Sequence, residues 1–119
     1  MTNIRNEKYY HDSWWDWTPY NQCFDGTKIR ITDVDGLVER KGHFLLIETK
    51  RPGVDIPSGQ RILFDRLKEQ PRWNILVIWG ETNCPQTYQL WGYSTIYRGN
   101  QSDIIQVLRR WFRHANGES

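Results

Sequence analysis

Cysteine is scarce in this 119-residue chain, and no long apolar run is present. Cys23 and Cys84 are too few for a disulfide framework and are not spaced as zinc ligands, so we treat both as thiols, with a disulfide between them as the alternative. No stretch approaches the roughly 18 apolar residues of a membrane span, which excludes a transmembrane protein. The N-terminal residues lack the basic-then-apolar pattern of a secretory signal, so we expect a cytoplasmic protein.

A strong net charge is also absent, since 16 Lys and Arg are balanced by 14 Asp and Glu. A net charge of +2 does not by itself indicate a nucleic-acid partner. The distribution is uneven, because residues 40–72 carry eight basic and four acidic side chains. The length fits a single domain over residues 1–119, since domains commonly contain about 100–200 residues. Charge therefore leaves the function open.

Apolar spacing and turn residues predict an α/β (α+β) protein with the element order α-β-β-α-β-β-α. The first predicted elements are a short helix through Tyr10, Trp14 and Trp17 that Pro19 ends, and two strands over Lys28–Arg40 and His43–Lys50. A helix follows from about Gly59 to Gln70, capped by Ser58 and ended by Pro71. The remaining elements are a buried central strand over Asn74–Trp79, a strand over Tyr88–Tyr97, and a last helix opened by Ser102 and Asp103. This order places a hairpin before the first crossover helix.

The hairpin is the segment that carries chemistry. A two-residue turn at Lys41-Gly42 pairs Arg40 with His43, and the same register continues to place Asp35 opposite Glu48. Side chains facing each other in an antiparallel pair have Cβ atoms about 4.5–5.5 Å apart, and like charges there are destabilising. A divalent cation would compensate the two carboxylates, and carboxylate oxygens suit magnesium or manganese.

Lys50 lies two residues beyond Glu48, so its side chain projects from the same face of the strand, opposite Asp33 in the predicted register. We expect apolar residues to bury both faces of the hairpin, which would lower the local dielectric constant. In the alternative interpretation, Asp35 begins a turn while Glu48 and Lys50 are solvated at an edge. The combination of acid-Gly, an apolar strand and Glu-x-Lys favours a metal site over this alternative.

ThrAspValAspGly, followed by PheLeuLeuIleGluThrLys, resembles the core of the PD-(D/E)XK nuclease superfamily. The resemblance covers about residues 28–80 and implies a restriction-endonuclease-like fold, with a central mixed β-sheet flanked by helices. By position, Asp35 and Glu48 match the two acids of the motif and Lys50 matches its lysine. Val34 stands where the motif has proline, a departure that does not affect the acids.

The resemblance implies a metal-dependent endonuclease that hydrolyses DNA, with Mg²⁺ as cofactor and Mn²⁺ able to substitute. Asp35, Glu48 and the Thr49 carbonyl would bind the metal, and Gln60 resembles a glutamine that some members place on the following helix. The alternative for Gln60 is a polar residue near a helix N-terminus. Many members add an acid from the first helix, for which the candidates are Glu7, Asp12 and Asp16. Lys50 would position or deprotonate the attacking water, or stabilise the phosphate as a cation.

The aromatic opening and small size resemble phage-encoded or Holliday-junction-resolvase-like members. A homodimer of this protein would fit that resemblance, because paired nicks on a duplex or junction require two sites. The candidates for phosphate contact are Arg51, Arg61, Arg66, Lys68 and Arg72, each of which can instead be a solvated side chain.

Two other function classes compete with the nuclease. A single-strand nucleic-acid-binding module would stack bases on Trp14, Trp15 and Trp17, although these side chains can equally cover the sheet. A phage accessory protein would retain the fold and act through protein contacts.

Overall fold

The computed structural model describes residues 15–118 of the chain, which divides into two compact units, residues 1–32 and 33–119. In the first unit, helix α1 spans Thr18–Asn21 and a turn of 3-10 helix follows at Gln22–Phe24. Pro19 lies in the first turn of α1 and does not end a helix as predicted, because the first-turn N–H groups have no intrahelical partner. Tyr10 and Trp14, which carry the rest of that predicted helix, lie outside the described residues.

The second unit contains five strands and two helices. They are β1 (Gly36–Arg40), β2 (His43–Lys50), α2 (Ser58–Glu69), β3 (Trp73–Glu81), β4 (Cys84–Leu90), β5 (Tyr97–Arg98) and α3 (Gln101–Ala115). The strands form one mixed sheet in the order β1-β2-β3-β4-β5, in which only the β2–β3 pair is parallel. This α+β architecture with a central mixed sheet agrees with the predicted class. No helix within residues 15–118 is long and apolar enough to cross a bilayer.

The β1–β2 hairpin has the register expected from its sequence. Arg40 pairs with His43, and the ladder continues to Gly36 and Ile47. Lys41 and Gly42 have φ values of 51° and 80°, and a two-residue turn with both central residues in this region matches the twist of the flanking strands.

Alternation along β2 and β3 directs apolar side chains to both faces of the sheet. One core lies between the sheet and α2, and includes Leu46, Ile75 and Phe64. The other core lies between the sheet and α3, and includes Leu45, Leu76 and Ile104. β3 is the middle strand and is buried, as predicted for Asn74–Trp79. The helices therefore fix the central strands from both sides.

Several predicted boundaries are wrong. The first predicted strand, Lys28–Arg40, is reduced to β1, and Leu37 and Val38 on it are exposed, so the hairpin is not buried on both faces. The predicted Tyr88–Tyr97 strand is divided between β4 and the short β5, which adds a strand to the predicted order. A turn intervenes, where Gln89 Nε2 donates to the Tyr93 carbonyl and Gly92 has a φ of 97°.

Both helix caps also differ from the prediction. Pro57, not Ser58, is the N-cap residue of α2, and no side chain caps that helix. The last helix begins at Gln101, where Asn100 and Asp103 form a reciprocal capping box. The helix was predicted to be opened by Ser102 and Asp103; Asp103 takes part in the cap, whereas Ser102 lies within the helix and Asn100 is the N-cap residue.

Gly80 allows close approach of two backbones beside a β-bulge in β3. A Cβ there would lie 2.4 Å from the Cys84 carbonyl oxygen and 2.7 Å from the Pro85 Cα. We expect Gly80→Ala to lower the free energy of unfolding by about 1–3 kcal/mol, because the backbone must shift. Gly59→Ala is the matched control, since a Cβ at Gly59 meets no atom within 4 Å. Urea denaturation measures both variants, and equal stabilities would contradict the expectation.

Candidate active site

Glu48 is the buried acid around which the candidate site is organised. Its side chain projects from β2 toward α2, and only 7% of the residue is exposed. Gln60, in the first turn of α2, donates from Nε2 to Glu48 Oε1 at 3.1 Å. Lys50 Nζ lies 3.4 Å from the same oxygen. The structure therefore brings together three of the residues predicted from sequence, two from alternate positions of one strand and one from the following helix.

Asp35 joins this group from the residue before β1. Its Oδ2 accepts hydrogen bonds from the backbone N–H of Thr49 at 2.9 Å and from the Thr49 hydroxyl at 3.1 Å. The ladder ends at Gly36, before the predicted pair of Asp35 with Glu48, so Asp35 lies in a bend and not directly opposite Glu48. The predicted register between Asp33 and Lys50 is wrong for the same reason. The Asp35 carboxylate nevertheless remains close enough to repel that of Glu48.

The pKa of Glu48 is raised above its ordinary value, mainly because burial removes the carboxylate from water. The hydrogen bond from Gln60 opposes the rise, the negative charge of Asp35 adds to it, and Lys50 again opposes it. Because the pKa remains raised, the Gln60 amide and the Lys50 ammonium group compensate the buried charge of Glu48 only in part. A further positive charge at this position would stabilise the ionised form.

The raised pKa of Glu48 predicts how stability depends on pH in the absence of metal. A carboxyl group with a higher pKa in the folded chain favours folding when protonated, and this contribution is lost as pH rises from 4.5 through the raised value. In EDTA, the melting temperature of wild type should therefore fall relative to that of Glu48→Gln as pH rises through this window. Thermal unfolding of both proteins at a series of pH values measures the difference. A difference that is independent of pH, or that changes in the opposite direction, would contradict the assignment.

Gln60 leaves one buried oxygen without a partner. Its Nε2 donates to Glu48, whereas its Oε1 is buried and accepts no hydrogen bond. Buried polar atoms are nearly always paired, so an unpaired oxygen on the amide that contacts Glu48 is an available acceptor for a group that donates protons or carries positive charge. No cluster of three or more His, Cys, Asp or Glu exists within residues 15–118. The donor set there is two carboxylates and neutral oxygens, which suits Mg²⁺ or Mn²⁺, since such ions retain several waters.

Trp79 and Arg61 hold the loop that borders the site. Trp79 Nε1 donates to the Val54 carbonyl at 2.7 Å, and Arg61 Nε donates to the Ile56 carbonyl at 3.0 Å. Trp79 pairs with Lys50 across the parallel ladder, so its indole lies beside the candidate site. Sequence analysis missed this role of Trp79. The available signal was a tryptophan ending a buried strand, because a buried indole N–H needs an acceptor.

The five basic candidates do not form one group. Arg51 is exposed at the end of β2, one residue beyond Lys50. Arg61 supports the loop and stacks over Trp91, while Lys68 Nζ donates to the Asn74 side chain, so both have structural partners. Arg66 is exposed and lies 3.5 Å from Glu69.

Arg72, the fifth candidate, has a φ of 69°, and its carbonyl accepts from the Phe44 N–H. Of the five, Arg51 is therefore the basic side chain nearest in sequence and strand position to the candidate acids.

The aromatic and acidic candidates of the first unit are placed only in part. Trp15, 68% exposed, forms a tilted cluster with Trp17 and Tyr20, with ring centroids 5.8 and 6.3 Å from that of Trp15. Asp16 accepts from the Thr18 N–H at the start of α1, and hydrogen bonds from Thr18 lower its pKa. The remaining candidates, Glu7, Asp12 and Trp14, lie outside the described residues.

Comparison with known proteins identifies no relative from which a function could be transferred. No protein-family model, curated protein or solved structure matches the chain significantly. The functional assignment therefore depends on the sequence motif and on the arrangement of Asp35, Glu48, Lys50 and Gln60.

Proposed function

We propose that this protein is a Mg²⁺-dependent endonuclease that hydrolyses DNA phosphodiester bonds at a site of the PD-(D/E)XK type. The supporting observation is that Lys50 and Gln60 contact the buried Glu48 carboxylate, while Asp35, in the bend before β1, is close enough to repel it. A buried acid compensated only in part is unfavourable unless a cation completes the site. The interpretation of Glu48 and Lys50 as solvated edge residues does not account for this burial.

The donor atoms fit a hard divalent cation. Asp35 and Glu48 would bind it, and the resemblance adds the Thr49 carbonyl. When bound, the ion polarises a phosphate oxygen and lowers the pKa of coordinated water. Gln60 Oε1 is a buried acceptor of this group with no partner of its own.

Lys50, Gln60 and Thr49 have different roles in the proposed hydrolysis. In the hydrolysis, a water oxygen forms a bond to phosphorus and releases a proton to solvent, the bond to the leaving sugar oxygen breaks, and that oxygen takes up a proton from solvent. Lys50 already pairs with the Glu48 carboxylate, so we assign it the role of an ammonium group that stabilises negative charge on the phosphate. Gln60 Oε1 accepts a hydrogen bond from the attacking water and orients it. Thr49 holds the Asp35 carboxylate through two hydrogen bonds.

A cleavage assay with single substitutions tests the proposal. Purified protein is incubated with supercoiled, linear, single-stranded and branched DNA in Mg²⁺, Mn²⁺ or EDTA. We expect cuts that require metal and that are reduced at least about 100-fold in Asp35→Ala and in Lys50→Ala. Arg113→Ala is the control, because Arg113 is an exposed basic residue in the last turn of α3 and is not a candidate for phosphate contact. Absence of cleavage on every substrate would refute the proposal.

The exposure of Trp15 favours a second candidate function, binding of single-stranded nucleic acid. An indole that is 68% exposed within an aromatic cluster can stack on an unpaired base. This candidate predicts equal binding in EDTA and Mg²⁺, with no cleavage, and a loss of affinity in Trp15→Ala. The same assay, with a binding measurement added, separates it from the nuclease. Neither binding nor cleavage would favour the accessory-protein class.

A further inference from the structure

A pocket of about 540 Å³ opens at the carboxyl ends of the parallel strands β2 and β3, on the side of the sheet that α3 covers. Its apolar wall comprises Ile78, Pro85, Ile104, Ile105 and Leu108. Ligands commonly bind beyond the carboxyl ends of parallel strands, in pockets of about 300–1,000 Å³ with apolar walls and a few polar groups. The pocket thus has the position and size of a ligand site.

The pocket adjoins the candidate active site at the carboxyl end of β2. Thr49 and Lys50 border both, and Arg51 follows on the pocket rim. Successive side chains of β2 point to opposite faces, so Glu48 and Lys50 belong to the α2 side while Thr49 and Arg51 belong to the α3 side. A ligand whose phosphate lies at the carboxyl ends of β2 and β3 can therefore extend past these strand ends into the pocket on the α3 side.

The chemistry of the pocket complements that of a nucleobase. An apolar wall suits the faces of a base, while Glu81, Asn83 and Gln101 at the rim supply both hydrogen-bond donors and acceptors for its polar edge. Arg51, on the α3 side at the end of β2, supplies positive charge beside this wall, as the phosphate attached to the base requires. A base within a duplex cannot reach such a pocket, because it is stacked and paired.

We propose, resting on the proposed nuclease function, that this pocket accepts an unpaired nucleobase adjacent to the phosphate that is cut. The substrate class is then DNA with an unpaired nucleotide, either single-stranded or at a bulge or branch. A fully paired duplex is cut more slowly, since a base must first leave the stack at a cost of a few kcal/mol.

Filling the pocket tests this inference. Ile105→Trp adds bulk at a residue that lines the pocket, is 42% exposed and belongs to neither core. Ile62→Trp is the matched control, an exposed isoleucine on α2 outside the pocket. Circular dichroism and melting temperature confirm folding of both. The substrates are a perfect duplex and the same duplex carrying a one-nucleotide bulge.

Two measurements decide the outcome. In Mn²⁺, wild type and Ile62→Trp should cut the bulged duplex about tenfold faster than the perfect one, and Ile105→Trp should lose this preference. In EDTA, fluorescence anisotropy should show that wild type and Ile62→Trp bind the bulged duplex more tightly than the perfect one, and that Ile105→Trp does not. Cleavage without preference in wild type, or preference retained in Ile105→Trp, would overturn the inference while leaving the nuclease intact. If Trp15→Ala loses the preference for the bulged duplex and Ile105→Trp keeps it, the unpaired base is bound by the aromatic cluster of Trp15, Trp17 and Tyr20 and not by the pocket.

If no substrate is cut, the nuclease proposal fails, and the anisotropy measurement still decides the pocket. Tighter binding of the bulged duplex that depends on Ile105 would support an unpaired base in the pocket without catalysis. Equal affinities for the two duplexes, or equal effects of the Ile105 and Ile62 variants, would overturn it.

Discussion

Glu48→Gln is expected to lose cleavage activity by about 10³-fold or more while its melting temperature in EDTA rises by about 2–6 °C. The activity falls because an amide is a far weaker ligand for a divalent cation than a carboxylate. The stability rises because the substitution removes a buried charge that Asp35 repels, while an amide oxygen can still accept from Gln60. Opposite changes in activity and stability are typical of a residue kept for function.

Glu69→Gln is the matched control for this variant, since Glu69 is an exposed glutamate at the end of α2. It makes the same chemical change without burial, so both its activity and its melting temperature should stay close to those of wild type. A stability loss in Glu48→Gln would mean that the pairing of Glu48 with Lys50 and Gln60 is structural. Retained cleavage would exclude Glu48 as a metal ligand.

Phe64→Ala is expected to lower the free energy of unfolding by about 3–5 kcal/mol. Phe64 is 1% exposed at the centre of the core between α2 and the sheet, and its ring meets that of Trp91 edge to face at 5.3 Å. Truncation would leave a cavity beneath the helix that carries Gln60. Trp91 also donates from Nε1 to Asp65 of the same helix at 2.7 Å, so loosening of the aromatic pair would affect two contacts of α2.

Ile62→Ala provides the comparison, because Ile62 lies on the same helix but is 60% exposed. Its stability should change by no more than about 0.5 kcal/mol. Urea denaturation followed by tryptophan fluorescence gives both values. Similar stabilities for the two variants would contradict the packing of α2 against the sheet through Phe64.

The proximity of Glu48 and Lys50 in the candidate site could be predicted because it depends on local rules. The Lys41-Gly42 turn fixes the hairpin register, and the alternation of side chains along a strand then places Glu48 and Lys50 on one face. Gln60 was predicted only through the family resemblance, since no local rule sets the distance between a helix and a neighbouring strand. That distance results from packing of residues such as Phe64 against the sheet.

Other features depend on packing that the sequence pattern does not encode. Asp35 turns toward Thr49 because the ladder ends at Gly36, and the end of a ladder depends on the tertiary contacts of the residues beside it. Leu37 and Val38 are apolar in an alternating strand, yet they are exposed on an edge strand. Burial of β1 was therefore predicted wrongly, although its register was predicted correctly.

Diffraction from crystals soaked in Mn²⁺, recorded at a wavelength where manganese scatters anomalously, tests the central assignment most directly. We expect an anomalous peak bonded to carboxylate oxygens of both Asp35 and Glu48, at about 2.0–2.4 Å, which disappears in Asp35→Ala crystals. Well-ordered acids with no peak between them at millimolar Mn²⁺, or a peak that persists in Asp35→Ala, would contradict it.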